Sequence, residues 1–304
     1  MGVLLFVALA GFLASLVDGA LGMGFGPTSS TILLTAGLAP AAVSTTVNIA
    51  KVATGVAGGA AHWKFGNIDK GLVVLLAAPG CVGALVGTTV LANVDGDGIR
   101  PYLAALLCLV GIRILIRFSR AKRAAAAAAD DGNAGSEPEY GEYSRRGIAA
   151  AALAGGVTNG LIGAWGPVVS PVLLSRKGLN PRIAIGSVNT AEIAVALVAS
   201  TSLIASLGGE GVKAGTLIAM LIGGVVAAPV AAWVIRHIDP RTLGVGAGTV
   251  LLFTSIRDLA GAFDVGSARW AAYAAVAVAC ALAVRHQRRT APQLTPAPVP
   301  ATTN

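Results

Sequence analysis

Charged residues are scarce in this sequence. Asp, Glu, Lys and Arg make up 12% of its 304 residues, about half of the roughly 25% found in a soluble domain. That scarcity excludes an ordinary water-facing surface. Aromatic residues are few, at 5%, so any Trp/Tyr belts at a membrane interface are thin. The three cysteines, Cys81, Cys108 and Cys280, all lie in apolar runs. Their odd number and irregular spacing exclude a disulfide framework, and no metal site is expected. No Gly-x-Ser-x-Gly elbow, His-Glu-x-x-His helix or phosphate loop occurs. The chain is therefore not read as an enzyme, and no cofactor is expected. The apolar N-terminus lacks a basic region, which argues against a cleaved signal peptide.

What is abundant is apolar. Hydrophobic residues make up 55% and glycine contributes 40 residues, with a mean hydropathy of +0.76. Long apolar runs rich in small residues indicate an integral membrane protein with closely packed helices. The formal charge of +8 would suggest nucleic acid in a soluble protein. Here the basic residues flank apolar spans, so the lipid bilayer is the expected partner and nucleic acid is not.

One glycine- and proline-rich stretch occurs twice. Asp18-Gly-Ala-Leu-Gly-Met-Gly-Phe-Gly-Pro27 continues to Gly37, Pro40 and Asn48, and Asn159-Gly-Leu-Ile-Gly-Ala-Trp-Gly-Pro167 continues to Gly178, Pro181 and Asn189. Asp18/Asn159, Gly22/Gly163, Gly37/Gly178, Pro40/Pro181 and Asn48/Asn189 are each 141 residues apart. Glycine and proline interrupt helices. A helix broken at matching places in two halves of a membrane protein points to a transporter's substrate site.

The expected organisation follows. Residues 1–116 form a first membrane repeat, 117–146 a hydrophilic cytoplasmic linker, and 147–258 a second repeat. An extra C-terminal transmembrane helix occupies 259–285 and a disordered tail 286–304. Within the repeats, spans are expected at 41–61, 71–93, 101–116, 183–207, 214–235 and 242–256, with the extra span at 270–284. Asn93–Gly98 reads as a turn. If each broken segment crosses once, Lys and Arg divide into 9 and 12 between the two sides. If each is a hairpin returning to its own side, the division is 17 against 4, with Lys51 inside the membrane. Only the second obeys the positive-inside rule. The expected fold is thus an all-α polytopic membrane protein of two homologous halves forming an inverted repeat. Each half has a broken helical hairpin plus three transmembrane helices.

The pattern Asp18-Gly, Gly22, Gly24, Gly26, then Gly37-Leu-x-Pro40, then His62 with Gly66-Asn-Ile-Asp69, resembles the TauE/SafE family of sulfite and organosulfonate exporter-like permeases. Gly163-Ala-Trp-Gly-Pro167 with Gly178-Leu-Asn-Pro181 is similar to that family's second repeat. The resemblance covers residues 2 to 258. It departs at Phe25, at Thr31 and in the length of the linker, and it is nearly silent on the substrate. It implies a permease of the bacterial inner membrane for small, often sulfur-containing anions.

Candidate residues cluster at and after the breaks. Gly24, Gly26, Gly163, Trp165 and Gly166 sit where unpaired backbone N–H groups at a half-helix N-terminus would suit an anion; the alternative is close helix packing. Asn48 and Asn189, with Thr45, Ser187 and Thr190 beside them, either contact substrate or tie down the broken ends, because a buried amide needs partners. Lys51 and Glu192 follow the two asparagines by three residues, at matching positions and with opposite sign. A charge within a span costs roughly 2.5–3.5 kcal/mol on lenient scales. The two could pair, Lys51 could attract an anion, and Glu192 is the candidate proton carrier. Asp18 reads as a cap for the helix after it. His62 reads as interfacial, and Arg113 and Arg257 as anchors. The sequence supports a secondary transporter of a small anion, proton coupling included as one option. A channel-like or scaffold membrane protein is the alternative, and a homo-oligomer is left open.

Overall fold

Glycine, proline and short acidic caps set where the helices stop. The computed structural model describes residues 2–21, 24–120, 145–174, 179, 181–207, 214–237, 240–263 and 268–289. Among them there are helices and turns but no strand. The first half contains α1 (Gly2–Leu21), α2 (Phe25–Thr35), α3 (Pro40–Lys64), α4 (Lys70–Asn93) and α5 (Gly96–Arg120). The second contains α6 (Arg145–Ile162), α7 (Gly166–Leu174), α8 (Pro181–Leu207), α9 (Ala214–His237) and α10 (Pro240–Ala262), followed by α11 (Ala268–Arg289). Residues 121–144 of the expected linker, the tail from 290, and Gly22 and Gly178 of the repeat lie outside the described residues.

Both expected interruptions are present. α1 stops at Leu21 and a second, 11-residue helix starts at Phe25. α6 stops at Ile162 and the 9-residue α7 starts at Gly166. At 1.5 Å per residue, α2 and α7 are only about 16 and 14 Å long, roughly half a bilayer core. The expected turn at Asn93–Gly98 is shorter than the sequence suggested. α4 runs through Asn93 and α5 begins at Gly96, because Asp95 caps it: its carboxylate accepts from Gly98 N (3.0 Å) and its carbonyl from Ile99 N (3.0 Å). Glycines that signal a turn in sequence here sit in a capped first turn. Asp69 caps α4 in the same way, accepting from Leu72 N at 3.0 Å.

Lys70–Asn93, Gly98–Ile116 and Ile183–Leu207 are each long and apolar enough to cross a membrane. The other expected spans are helices of 25 residues (α3), 24 (α9), 23 (α10) and 22 (α11). Val74, Val82, Val86 and Val90 on α4, and Ile218, Ile222 and Val225 on α9, are exposed. An outer surface of this kind suits hydrocarbon, which makes the chain an α-helical membrane protein.

Helix pairing is set by small residues. Gly11 on α1 lies against Met220 of α9, and Gly224 lies against Ser15, so these helices run parallel. Gly80 on α4 abuts Gly156 on α6, and Gly87 abuts Val157 and Gly160, so this pair is also parallel. A Cβ at Gly83 would collide with the Leu153 carbonyl. α5 and α10 run antiparallel. Arg100 and Ala104 near the start of α5 share a cavity with Arg257 and Gly261 at the end of α10, and farther along Gly111 meets Gly248. α3 crosses α8 at the centre.

The ends of the elements group accordingly. The α3–α4 turn lies beside the start of α8: Asp69 N donates to Ser187 Oγ (3.0 Å), and Asn67 packs on Gly186. Arg100 donates to the Gly37 and Leu38 carbonyls, joining the α4–α5 turn to the α2–α3 turn. Trp63 and Phe65 are exposed near the α3–α4 turn, with Lys70 Nζ 5.2 Å from the Trp63 ring centre. That composition fits a headgroup interface.

Candidate functional site

The two interruptions meet. Gly26, in the first turn of α2, lies so close to Gly163 that a Cβ on Gly26 would overlap the Gly163 carbonyl. Gly163 has φ 69°, a left-handed conformation that favours glycine. It closes α6: Gly163 N donates to Asn159 O (2.8 Å), the single bond of an αL ending, and Ala164 N reaches back to Thr158 O (3.3 Å).

A helix that ends inside a membrane leaves carbonyls without intrahelical partners. Side chains from the first half satisfy those of α6. Ser30 Oγ donates to Ile162 O (2.8 Å), Ser44 Oγ to Gly160 O (2.6 Å), Asn48 Nδ2 to Asn159 O (3.2 Å) and Lys51 Nζ to Gly163 O (2.8 Å). Asn48 also donates to Ser44 O (2.9 Å) and accepts from Asn159 Nδ2 (2.7 Å). Of the two roles left open for Asn48, this geometry is that of a tie-down.

Lys51 is the hub. It is 7% exposed and forms an ion pair with Glu192. Its ammonium also donates to Asn159 Oδ1 (2.7 Å) and Gly163 O (2.8 Å). An ammonium has three N–H bonds, and here each has an acceptor. On the other half-helix, Phe25 N donates to Asp18 Oδ1 (3.2 Å), so Asp18 caps α2, favourably placed at the helix's positive end.

A cavity of about 130 Å³ opens between these groups, well above the roughly 10–15 Å³ one water needs. Its ionisable lining is Asp18, Lys51 and Glu192. The starts of both half-helices reach it, through Gly26 and Pro27 on one side and Gly166 and Pro167 on the other. Thr54, Gly55 and Gly58 extend it along α3 toward the α3–α4 turn.

Of the residues singled out from sequence, Gly24, Gly26, Lys51, Gly163, Gly166, Asn189 and Glu192 line this cavity. Thr45, Asn48, Trp165, Ser187 and Thr190 do not. Thr45 Oγ1 donates to Ala41 O (2.7 Å) and Thr190 Oγ1 to Gly186 O (2.7 Å) within their own helices. Trp165 is fully buried, donates to Val188 O (3.1 Å) and covers Gly80 and Gly155. Asn159 and Asp18 carry more of the site than the sequence suggested. Their signal was present, since they are matching positions of the repeat directly before the breaks.

Comparison with known proteins gives two findings. Residues 7–257 match the family model described as "Sulfite exporter TauE/SafE". A protein of Bacillus subtilis (strain 168), named "Probable membrane transporter protein YtnM", is 39% identical over 259 residues, covering 84% of this chain and 82% of the relative. No solved structure matches the chain.

Proposed function

The chain belongs to the sulfite exporter TauE/SafE family, and from that premise we propose that it is a secondary transporter of a small anion in the bacterial cell inner membrane. The anion is sulfite, an organosulfonate, or a related sulfur-containing or carboxylate anion. It binds where the two glycine-rich breaks meet, in the cavity beside Lys51. The fold reading that accompanies this is an inverted repeat of two re-entrant hairpins. It is supported by the antiparallel run of α5 and α10 and by the α3–α4 turn lying beside the start of α8. A single crossing of each broken segment would make α5 and α10 parallel and set that turn and that helix start at opposite ends.

The single observation that carries the mechanism is the saturation of Lys51. Its third N–H is held by Glu192. With Asp18 and Glu192 both ionised, the lining has two negative charges and one positive, which repels an anion. When Glu192 takes up a proton, its carboxyl gives up the ion pair, one Lys51 N–H is released to the substrate, and the charge balance shifts toward binding. Anion and proton then enter the cavity together. Asp18 remains at the start of α2 as the second carboxylate, and the α7 N-terminus at Gly166 supplies positive partial charge.

The test is flux in proteoliposomes with a panel of sulfite, thiosulfate, sulfoacetate and acetate. Saturable uptake with counterflow of at least one panel member supports a carrier. Uptake without counterflow identifies a channel instead, and no uptake of any panel member contradicts the proposal.

A further inference from the structure

α2 carries a row of hydroxyls that its own helix does not use. Thr28, Thr31 and Thr35 recur at spacings of three and four, which places them on one helix face. The hydroxyl oxygens of all three are buried and find no hydrogen-bond partner among the described residues. This is unusual within the chain itself. Thr45, Thr54, Thr88, Thr190, Thr249 and Thr254 all bond the carbonyl four residues back. Two of the three hydroxyls have no counterpart on the other half-helix. In α7, counted from the matching prolines Pro27 and Pro167, Val168 stands for Thr28 and Pro171 for Thr31.

The row connects two cavities. Its lower end starts at Pro27, in the lining of the Lys51 cavity. Its upper end, Thr35, lines a second cavity of about 410 Å³ with Arg100, Arg257 and Asp258. α10 packs against α2 along this length, and its buried Ser255 hydroxyl also lacks a partner among the described residues. Ser255 lies one turn below Asp258, hence at about the depth of Thr31. Two arginines and one aspartate give the second cavity a positive balance. The Arg100 guanidinium also donates to the Gly37 and Leu38 carbonyls just past the end of α2.

We propose that the seam between α2 and α10 is the remainder of the anion's route across the membrane, with Thr28, Thr31, Thr35 and Ser255 as its lining and the Arg100/Arg257 cavity as its vestibule. The inference rests on the transport reading above and extends it from the binding cavity to the far side. The physical reason is the cost of leaving a buried hydroxyl without a partner. Four of them on one seam are favourable only if they take a partner during the working cycle. Hydroxyls suit a passing anion because each can donate a hydrogen bond in place of hydration water. The seam is closed in this structure, where Thr31 and Ser255 are each 1% exposed. Its two ends, Pro27 and Thr35, line the two cavities and are about 12 Å apart along α2.

The test uses the full chain in vesicles, with Cys81, Cys108 and Cys280 replaced by alanine. Single variants Thr28→Cys, Thr31→Cys and Ser255→Cys are treated with 2-sulfonatoethyl methanethiosulfonate or its trimethylammonium counterpart, and labelling is read by intact mass. Leu33→Cys is the control, since Leu33 is fully buried on another face of the same helix. Seam cysteines labelling at least tenfold faster than Leu33→Cys, and faster with the anionic reagent, supports the route. Rates equal to the Leu33→Cys control, or no preference for the anionic reagent, overturn it. Thr31→Val gives a second reading. It keeps the volume and removes the hydroxyl, so it should lower flux at least tenfold with an unchanged or higher melting temperature. Unchanged flux in that variant counts against the route. Labelling decides the seam even if the wild type moves no panel anion, an outcome that would instead remove the transport reading.

Discussion

Lys51 and Glu192 occupy matching positions of the sequence repeat, 141 residues apart, and form an ion pair with each other. The pair joins α3 to α8, which pack against each other. The surroundings obey the same relation with one change of charge. Lys51 reaches Asn159 (2.7 Å), and Glu192 lies within electrostatic reach of Asp18, the residue matching Asn159. One half thus presents an ammonium to an amide, and the other a carboxylate near a carboxylate.

Removing one member of this pair should be costly. Lys51→Met leaves Glu192 without its counter-charge and the Gly163 carbonyl without its donor. Loss of one partner of a buried ion pair costs about 3–5 kcal/mol, read as a lower thermal midpoint of the purified protein. The exchange Lys51→Glu with Glu192→Lys should not restore full stability, because the introduced glutamate would face two acceptors, Asn159 Oδ1 and the Gly163 carbonyl, that lose their donor.

The contact between the breaks gives a contrast of glycines. Gly163→Ala forces a left-handed φ on a residue with a Cβ, roughly 1–3 kcal/mol, and brings that Cβ within 2.8 Å of Val47 Cγ1. Gly26→Ala collides with the Gly163 backbone. Both should lower the thermal midpoint and abolish flux. Gly58→Ala has no neighbour within 4 Å of its added methyl and should melt as the wild type does. A Gly58→Ala variant as unstable as Gly26→Ala would contradict the packing described.

Asn48 should behave as a structural tie. Asn48→Ala leaves the Asn159 amide and carbonyl short of a partner each, at about 1–3 kcal/mol for an unsatisfied buried group. The thermal midpoint should fall. Retention of wild-type stability with loss of substrate affinity would instead assign Asn48 to the substrate.

Topology offers an independent check. In the inverted-repeat reading, a cysteine at Ala39 and one at Asn180 label from opposite faces of the membrane, and a cysteine at Asn67 labels from the same face as Asn180. Labelling of Ala39 and Asn180 from one face would rule the hairpins out.

Much of this was legible in the sequence because glycine and proline report on the backbone directly. The breaks after Asp18 and Asn159 are where the spacing put them, and the matched charges at Lys51 and Glu192 stood out as costly in an apolar run. Partner choice was not legible. Asn159 read as a weaker copy of Asp18, and its two bonds to Asn48 and its bond to Lys51 exist only once α6 lies against α3. Trp165 looked like a site residue because it sits in the break, yet its ring is used to cover glycines on α4 and α6. Apart from Thr31, a departure from the family pattern, the threonines of α2 gave no signal, since a threonine in a span normally bonds its own helix. Only the structure distinguishes those that do from those that do not.

In the proposed cycle the anion and a proton enter the Lys51 cavity together, with Glu192 taking up the proton. The direct measurement is proton movement, followed with a pH-sensitive dye in proteoliposomes, during uptake of whichever panel anion shows counterflow. Wild-type uptake should carry protons in the same direction as the anion. Glu192→Gln should retain counterflow with no accompanying proton movement. Wild-type uptake without proton movement, or a Glu192→Gln variant that still moves protons with the anion, would contradict the account.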